Sequence, residues 1–161
     1  MTEIESSRTE ADLRPIVVGA DGSAGSQEAL RWAGGQARAT HTSLLAVMSW
    51  RWPDAYGYAA MPSDVDWERD ASEVLVSAVR QLSEDFPDVQ IEQRLLEGRA
   101  APLLIDAARS ASLLVVGSRG HGAFAGMLLG SVSEHCVRQA PCPVVVVRGQ
   151  AGDEDAPGQA D

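Results

Sequence analysis

The chain reads as an α/β protein: one three-layer domain in which a five-stranded parallel sheet, strand order 3-2-1-4-5, carries helices on both faces. Three observations predict this. Five short apolar runs alternate with four stretches of helical periodicity, the pattern of repeated βαβ units. Most of the runs are apolar at consecutive positions, as strands covered on both faces require. The length of 161 residues suits one domain rather than two.

The elements follow in order. Residues 15–20, PIVVGA, form a buried strand that stops at Gly and Asp. Residues 24–39 place Ala29, Leu30, Ala33 and Ala37 at helical spacing. Residues 43–49, SLLAVMS, are a second strand, and 50–62 read as a loop because two prolines, a glycine and four aromatics interrupt any period. Ser63 with Asp66 resembles a capping box, opening a helix whose stripe runs through Trp67, Ala71, Val74, Leu75, Ala78, Val79, Leu82 and Phe86. Residues 89–96 are a third strand with one partly exposed face. A helix with Pro102 in its first turn continues to about Ala111, and 113–117, LLVVG, are a fourth strand. A glycine-rich loop spans 117–130, a helix runs from Ser131 to Gln139, and 143–148, PVVVVR, are a fifth strand.

Composition narrows the function. The net charge is -10, of which residues 1–14 and 150–161 supply -6; both segments read as disordered, solvated acidic tails flanking a domain at 15–149. Nucleic acid and anionic membrane are not expected as partners, since both call for a basic surface. The polar, acidic start is unlike a signal peptide and no run reaches the ~18 apolar residues of a membrane span, so the protein is expected in the cytoplasm. There Cys136 and Cys142 read as reduced thiols. The chain has no lysine, which excludes every mechanism that needs one.

Ligands of open parallel sheets sit beyond the carboxyl ends of the strands, which directs the search to the loops after strands one, two and four. The loop after strand four holds five glycines in residues 117–130. Glycine lets backbone amides approach an anion without a Cβ in the way. Gly130 and Ser131 then open a helix whose free N–H groups and positive dipole end favour phosphate. Ser131 and Ser133 add hydroxyls and Arg119 a permanent cation. This is no P-loop, which needs Gly-Lys-Ser/Thr. Nor do Gly19, Gly22 and Gly25, spaced G-x-x-G-x-x-G, give the dinucleotide fingerprint.

The spacing Gly117-x2-Gly120-x9-Gly130-Ser131 resembles the ATP-binding signature G-x2-G-x9-G-[ST] of universal stress proteins. The stretches IVVGADGS, LLVVGSRGHG and LLGSVSEHCVRQAPCPVVVV resemble the same family in order and spacing, over about residues 14–149. The resemblance implies ATP, with or without magnesium, as the bound cofactor. It matches Asp21 to the acidic residue that contacts the nucleoside, and Val47 to the residue whose backbone holds the adenine edge. It matches Val116, Gly117, Arg119 and Gly120 to the near side of the nucleotide, and Gly130, Ser131, Val132 and Ser133 to the phosphate-holding turn. It also implies a homodimer through strand 143–148, whose four consecutive valines would otherwise form an apolar edge, and an unidentified regulatory protein partner.

Blander readings stand beside these. Asp21 alone reads as a helix N-terminal acid that favours the dipole. His121 reads as an exposed loop residue in preference to a general base. Trp50, Trp52, Tyr56 and Tyr58 read as local packing, or as a lid or partner surface. The expected function is a nucleotide-dependent regulatory module of the stress response. The alternative is a slow ATPase or phosphotransferase, although no paired metal-binding acids beyond Asp21 are evident. A third reading groups the fold with nucleotide-α hydrolases and flavoprotein subunits.

Overall fold

A computed structural model of the protein describes residues 14–52, 64–121 and 126–149. The two tails beyond Leu13 and Gly149, Ser63, Tyr56 and Tyr58, and part of the glycine-rich loop lie outside the described residues. The elements are β1 (Ile16–Ala20), α1 (Ala24–Thr40), β2 (Leu44–Trp50), α2 (Trp67–Asp85), β3 (Ile91–Glu97), α3 (Ala100–Ala108), β4 (Leu113–Gly117), α4 (Ser131–Gln139) and β5 (Val144–Val147). All strand pairs are parallel and the order is β3-β2-β1-β4-β5.

Period-two alternation explains why the strands are apolar throughout. Ile16, Val18, Leu44, Ala46 and Val115 point to a layer formed by α1 and α2, through Ala29, Leu30, Ala33, Leu75 and Leu82. Val17, Leu45, Val47, Leu114 and Val116 point to the opposite layer, with Leu104 and Ala108 of α3 and Cys136 of α4. Both faces of the central strands are therefore dry, and polar residues have no place on either. β3, at one edge, is different: Glu92, Gln93, Arg94 and Glu97 are exposed, and charge on an edge discourages further pairing.

Several boundaries differ from expectation for local reasons. Asp66 is itself the N-cap of α2, its carboxylate accepting from the Arg69 amide at 3.0 Å, whereas a capping box led by Ser63 would have placed it inside the helix. Val89 belongs to a turn, its amide donating to Phe86 O at 3.1 Å, so β3 begins two residues later. Past Ala108 the amides of Arg109, Ser110 and Ala111 each reach back three residues, which ends α3 in a tightened turn. Trp50 is the last residue of β2, opposite Glu97, and its ring meets Trp52 edge-on at 6.1 Å between centroids. No described helix is long and apolar enough to cross a membrane. Both cysteines are free; burial pushes the Cys136 thiol up to about 11.

Candidate functional site

The site forms where the carboxyl ends of β1 and β4 meet the N-termini of α1 and α4. At β1 the chain passes through Asp21 and turns at Gly22, whose φ of 80° an L side chain rarely adopts. Ser23 caps α1, accepting from the Ser26 amide at 3.2 Å. The Asp21 carboxylate is set by this turn: Oδ1 accepts from the Ser23 amide at 2.8 Å and from the Ser23 hydroxyl. Oδ2 accepts from the His121 amide at 3.4 Å. Burial by itself raises the Asp21 carboxyl, but the Ser23 hydroxyl and amide, with Ser26 and His121, outweigh it and hold the group below its ordinary value. Asp21 is thus an anion, and Oδ2 keeps acceptor capacity for a further hydroxyl.

The β4 loop packs on this turn through glycines. A Cβ on Gly120 would lie 2.4 Å from Asp21 Oδ2, and one on Gly117 would lie 2.9 Å from the backbone of Gly25. A Cβ on Gly25 would lie 2.7 Å from Arg119 O. Two of these glycines belong to the signature; Gly25 does not, and only the packing of α1 under the loop reveals its role. The Arg119 side chain is exposed.

The far end of the loop is tied to the same segment. The Gly130 amide donates to Ser118 O at 2.7 Å, and the Ser118 amide donates to Val147 O at 2.8 Å. Ser133, 2% exposed, aims its hydroxyl at Ser118 O and Gly130 O, each at 3.0 Å. As placed, Ser133 braces the turn. Ser131 is exposed at the start of α4, and Gly130 supplies no capping side chain. The first intrahelical bond runs from the Glu134 amide to Gly130 O, so the amides of Ser131, Val132 and Ser133 have no intrahelical acceptor. Val132 packs its side chain into the α3–α4 layer. A short run of backbone donors at a positive dipole end, reached through glycines, suits phosphate oxygens.

Val47 and Val116 are buried in the sheet, 2% and 3% exposed, so only their backbones are candidates. The Ile16 amide bonds Ser43 O, which turns the odd-numbered carbonyls of β2 toward β1. Val47 stands opposite Gly19, inside that ladder. The next carbonyl on the same side, that of Ser49, lies past Ala20, the last residue of β1. Strand pairing is invisible in the sequence, and this offset could not be read there.

A cleft of about 510 Å3 lies between α1 and α2. Its rim carries Asp70, Glu73 and Asp85 against Arg31, which is paired with Glu28 at 2.6 Å. That rim repels a polyanion, so the cleft does not suit phosphate. Among the described residues no three His, Cys, Asp or Glu side chains gather to hold a metal.

Known proteins resemble this chain along most of its length. The universal stress protein family model matches residues 12–148. A universal stress protein of Mycobacterium tuberculosis is 34% identical over 137 residues, which cover 83% of this chain and 45% of that protein. One of Mycolicibacterium smegmatis is 35% identical over 135 residues, with 83% and 45% covered. The chain thus spans about half the length of these relatives. Among solved structures, a universal stress protein in complex with cAMP superposes with a TM-score of 0.66 at 28% identity, covering 84% of this chain and 97% of its own. A family protein from Burkholderia pseudomallei gives 0.65 at 28%, with 84% and 96% covered.

Proposed function

The chain belongs to the universal stress protein family, and from that premise we propose that it is an ATP-binding regulatory module of the stress response. The observation that carries the reading is the meeting of three elements at the carboxyl ends of β1 and β4: the Asp21 carboxylate, the glycine segment 117–120, and the uncapped amides of α4. Asp21 Oδ2 accepts from a ribose hydroxyl. The amides of Ser131, Val132 and Ser133, with the Ser131 hydroxyl and the Arg119 guanidinium, take the phosphates, while the Gly130 amide stays bonded to Ser118 O. The end of β2 near Val47 and Ser49 offers backbone to the base edge, and Val116 and Gly117 form the floor. The relative of known structure that binds cAMP supports an adenine nucleotide over other anions.

Nucleotide occupancy regulates a partner; hydrolysis, where it occurs, is slow, because the chain has no lysine and, among the described residues, no three His, Cys, Asp or Glu side chains gather to hold a metal. On this reading it works in the cytoplasm; the free Cys136 and Cys142 support a reducing compartment. It acts as a homodimer paired along β5, the edge strand without the charges that protect β3.

Calorimetry tests the reading. The wild type binds ATP, and Gly120→Val, whose Cβ competes with Asp21 Oδ2 for space, binds at least about tenfold more weakly. Circular dichroism confirms that the variant is folded. Equal affinity in a folded variant rejects the loop assignment, and turnover near ~10 per second rejects the regulatory reading in favour of an enzyme.

A further inference from the structure

Resting on the assignment of Asp21 to the nucleoside and of the α4 turn to the phosphates, we propose that His121 is a positioning residue: a clasp that fixes the distance between the two ends of the nucleotide site.

His121 makes two contacts with one residue. Its ring Nε2 lies 2.8 Å from Asp21 O, and its amide donates to Asp21 Oδ2. A carbonyl only accepts, so Nε2 carries hydrogen and donates. The neutral Nε2–H tautomer and the imidazolium both do so. This nitrogen is therefore committed to the end of β1 and is not free to take a proton from an attacking water. Gly22, with its φ of 80°, bends the chain immediately after that carbonyl.

The consequence follows from the bonds around it. His121 holds residue 121 to the end of β1. Three residues earlier, Ser118 O holds the Gly130 amide and the Ser133 hydroxyl, the first turn of α4. Residues 118–121 thus form one short strut from the nucleoside carboxylate to the phosphate amides. Along that strut Gly120 admits the carboxylate at a distance no Cβ allows. A ligand that engages both ends gains from a preset separation, because it orders less on binding; a ligand that engages one end gains nothing.

The test compares His121→Ala and His121→Gln with wild type on ATP, adenosine and tripolyphosphate by calorimetry, using the full chain. Glutamine keeps an N–H donor at similar reach. The expected result is an ATP affinity about threefold to tenfold lower in His121→Ala, the range of one net hydrogen bond. Adenosine and tripolyphosphate each change by less than about twofold, and His121→Gln recovers most of the loss. A His121→Ala variant that binds ATP as wild type does, or that loses adenosine by the same factor as ATP, overturns the clasp. A wild type that binds no ATP overturns the site assignment instead. Amide hydrogen exchange of the free protein then decides the clasp: faster exchange in His121→Ala at the backbone amides of position 121 and Gly130 supports it, and unchanged exchange overturns it.

Discussion

Asp21 illustrates how a single side chain acquires its properties from a turn. The sequence offers two roles for an acid at the end of β1, a dipole partner or a ligand-binding group. The structure occupies Oδ1 with Ser23 and leaves capacity on Oδ2. The same bonds hold its carboxyl below the ordinary value against the effect of burial, which has a consequence for stability. A carboxylate whose folded pKa is depressed contributes fully above its unfolded value of about 3.9. That contribution is lost as pH falls through the lower folded value. Asp21→Asn is therefore expected to cost about 1 kcal/mol at neutral pH, with the gap to wild type closing below about pH 4. Thermal melts at several pH values check this; a gap that stays constant with pH would show that the charge is not what stabilises. His121 is exposed, as the sequence reading has it, but its hold on Asp21 could not be read there. An exposed histidine in a glycine loop carries no local signal, and its partner lies 100 positions away.

At the scale of elements, two of the three glycines of α1 have opposite meanings. Gly25, in the first turn, faces Arg119 O, and a Cβ there would approach to 2.7 Å. The obstacle is backbone, which cannot swing aside, so Gly25→Ala is expected to destabilise by about 1–3 kcal/mol. Gly35, in the same helix, has nothing within 4 Å of an added Cβ. Gly35→Ala should stabilise by about 0.5–1 kcal/mol, since alanine has less backbone entropy to lose. Urea denaturation of the two variants measures both signs, and equal effects would refute the packing account. The helical stripes of α1 and α2 were legible because amphipathic periodicity is a local property. The cap of α2 was not, because a short polar run offers several competing caps and only the backbone path selects Asp66.

For the whole molecule, the two sheet edges differ. β3 exposes Glu92, Gln93 and Arg94, while Val144–Val147 are half-buried within the chain. The bonds from the Leu114 amide to Pro143 O and from the Ser118 amide to Val147 O assign the odd-numbered carbonyls of β5 to β4. Val144 and Val146 therefore turn their N–H and C=O outward, toward the proposed second copy. Proline at Val145 would damage the chain's own sheet, but Val146→Pro removes an outward donor alone. Light scattering is expected to give a dimer for wild type and a folded monomer for Val146→Pro. A wild type that stays monomeric at micromolar concentration, or a Val146→Pro variant that stays dimeric, refutes pairing along this edge.

The sequence by itself determined the element order, the parallel sheet and the segment that bears the glycines. Each of these follows from patterns within a few residues: period two or 3.6, apolar runs, and a spaced set of glycines. What only the tertiary structure decided are the relations between segments distant in the chain. They include the burial of the Ser133 hydroxyl against Ser118 and Gly130, the place of Val47 inside the β1–β2 ladder, the need for Gly25 beneath Arg119, and the hold of His121 on Asp21. The physical reason is common to all four. A hydrogen bond or a steric limit is set by distance in space, and a strand register or loop closure that brings two segments together leaves no mark on the composition of either.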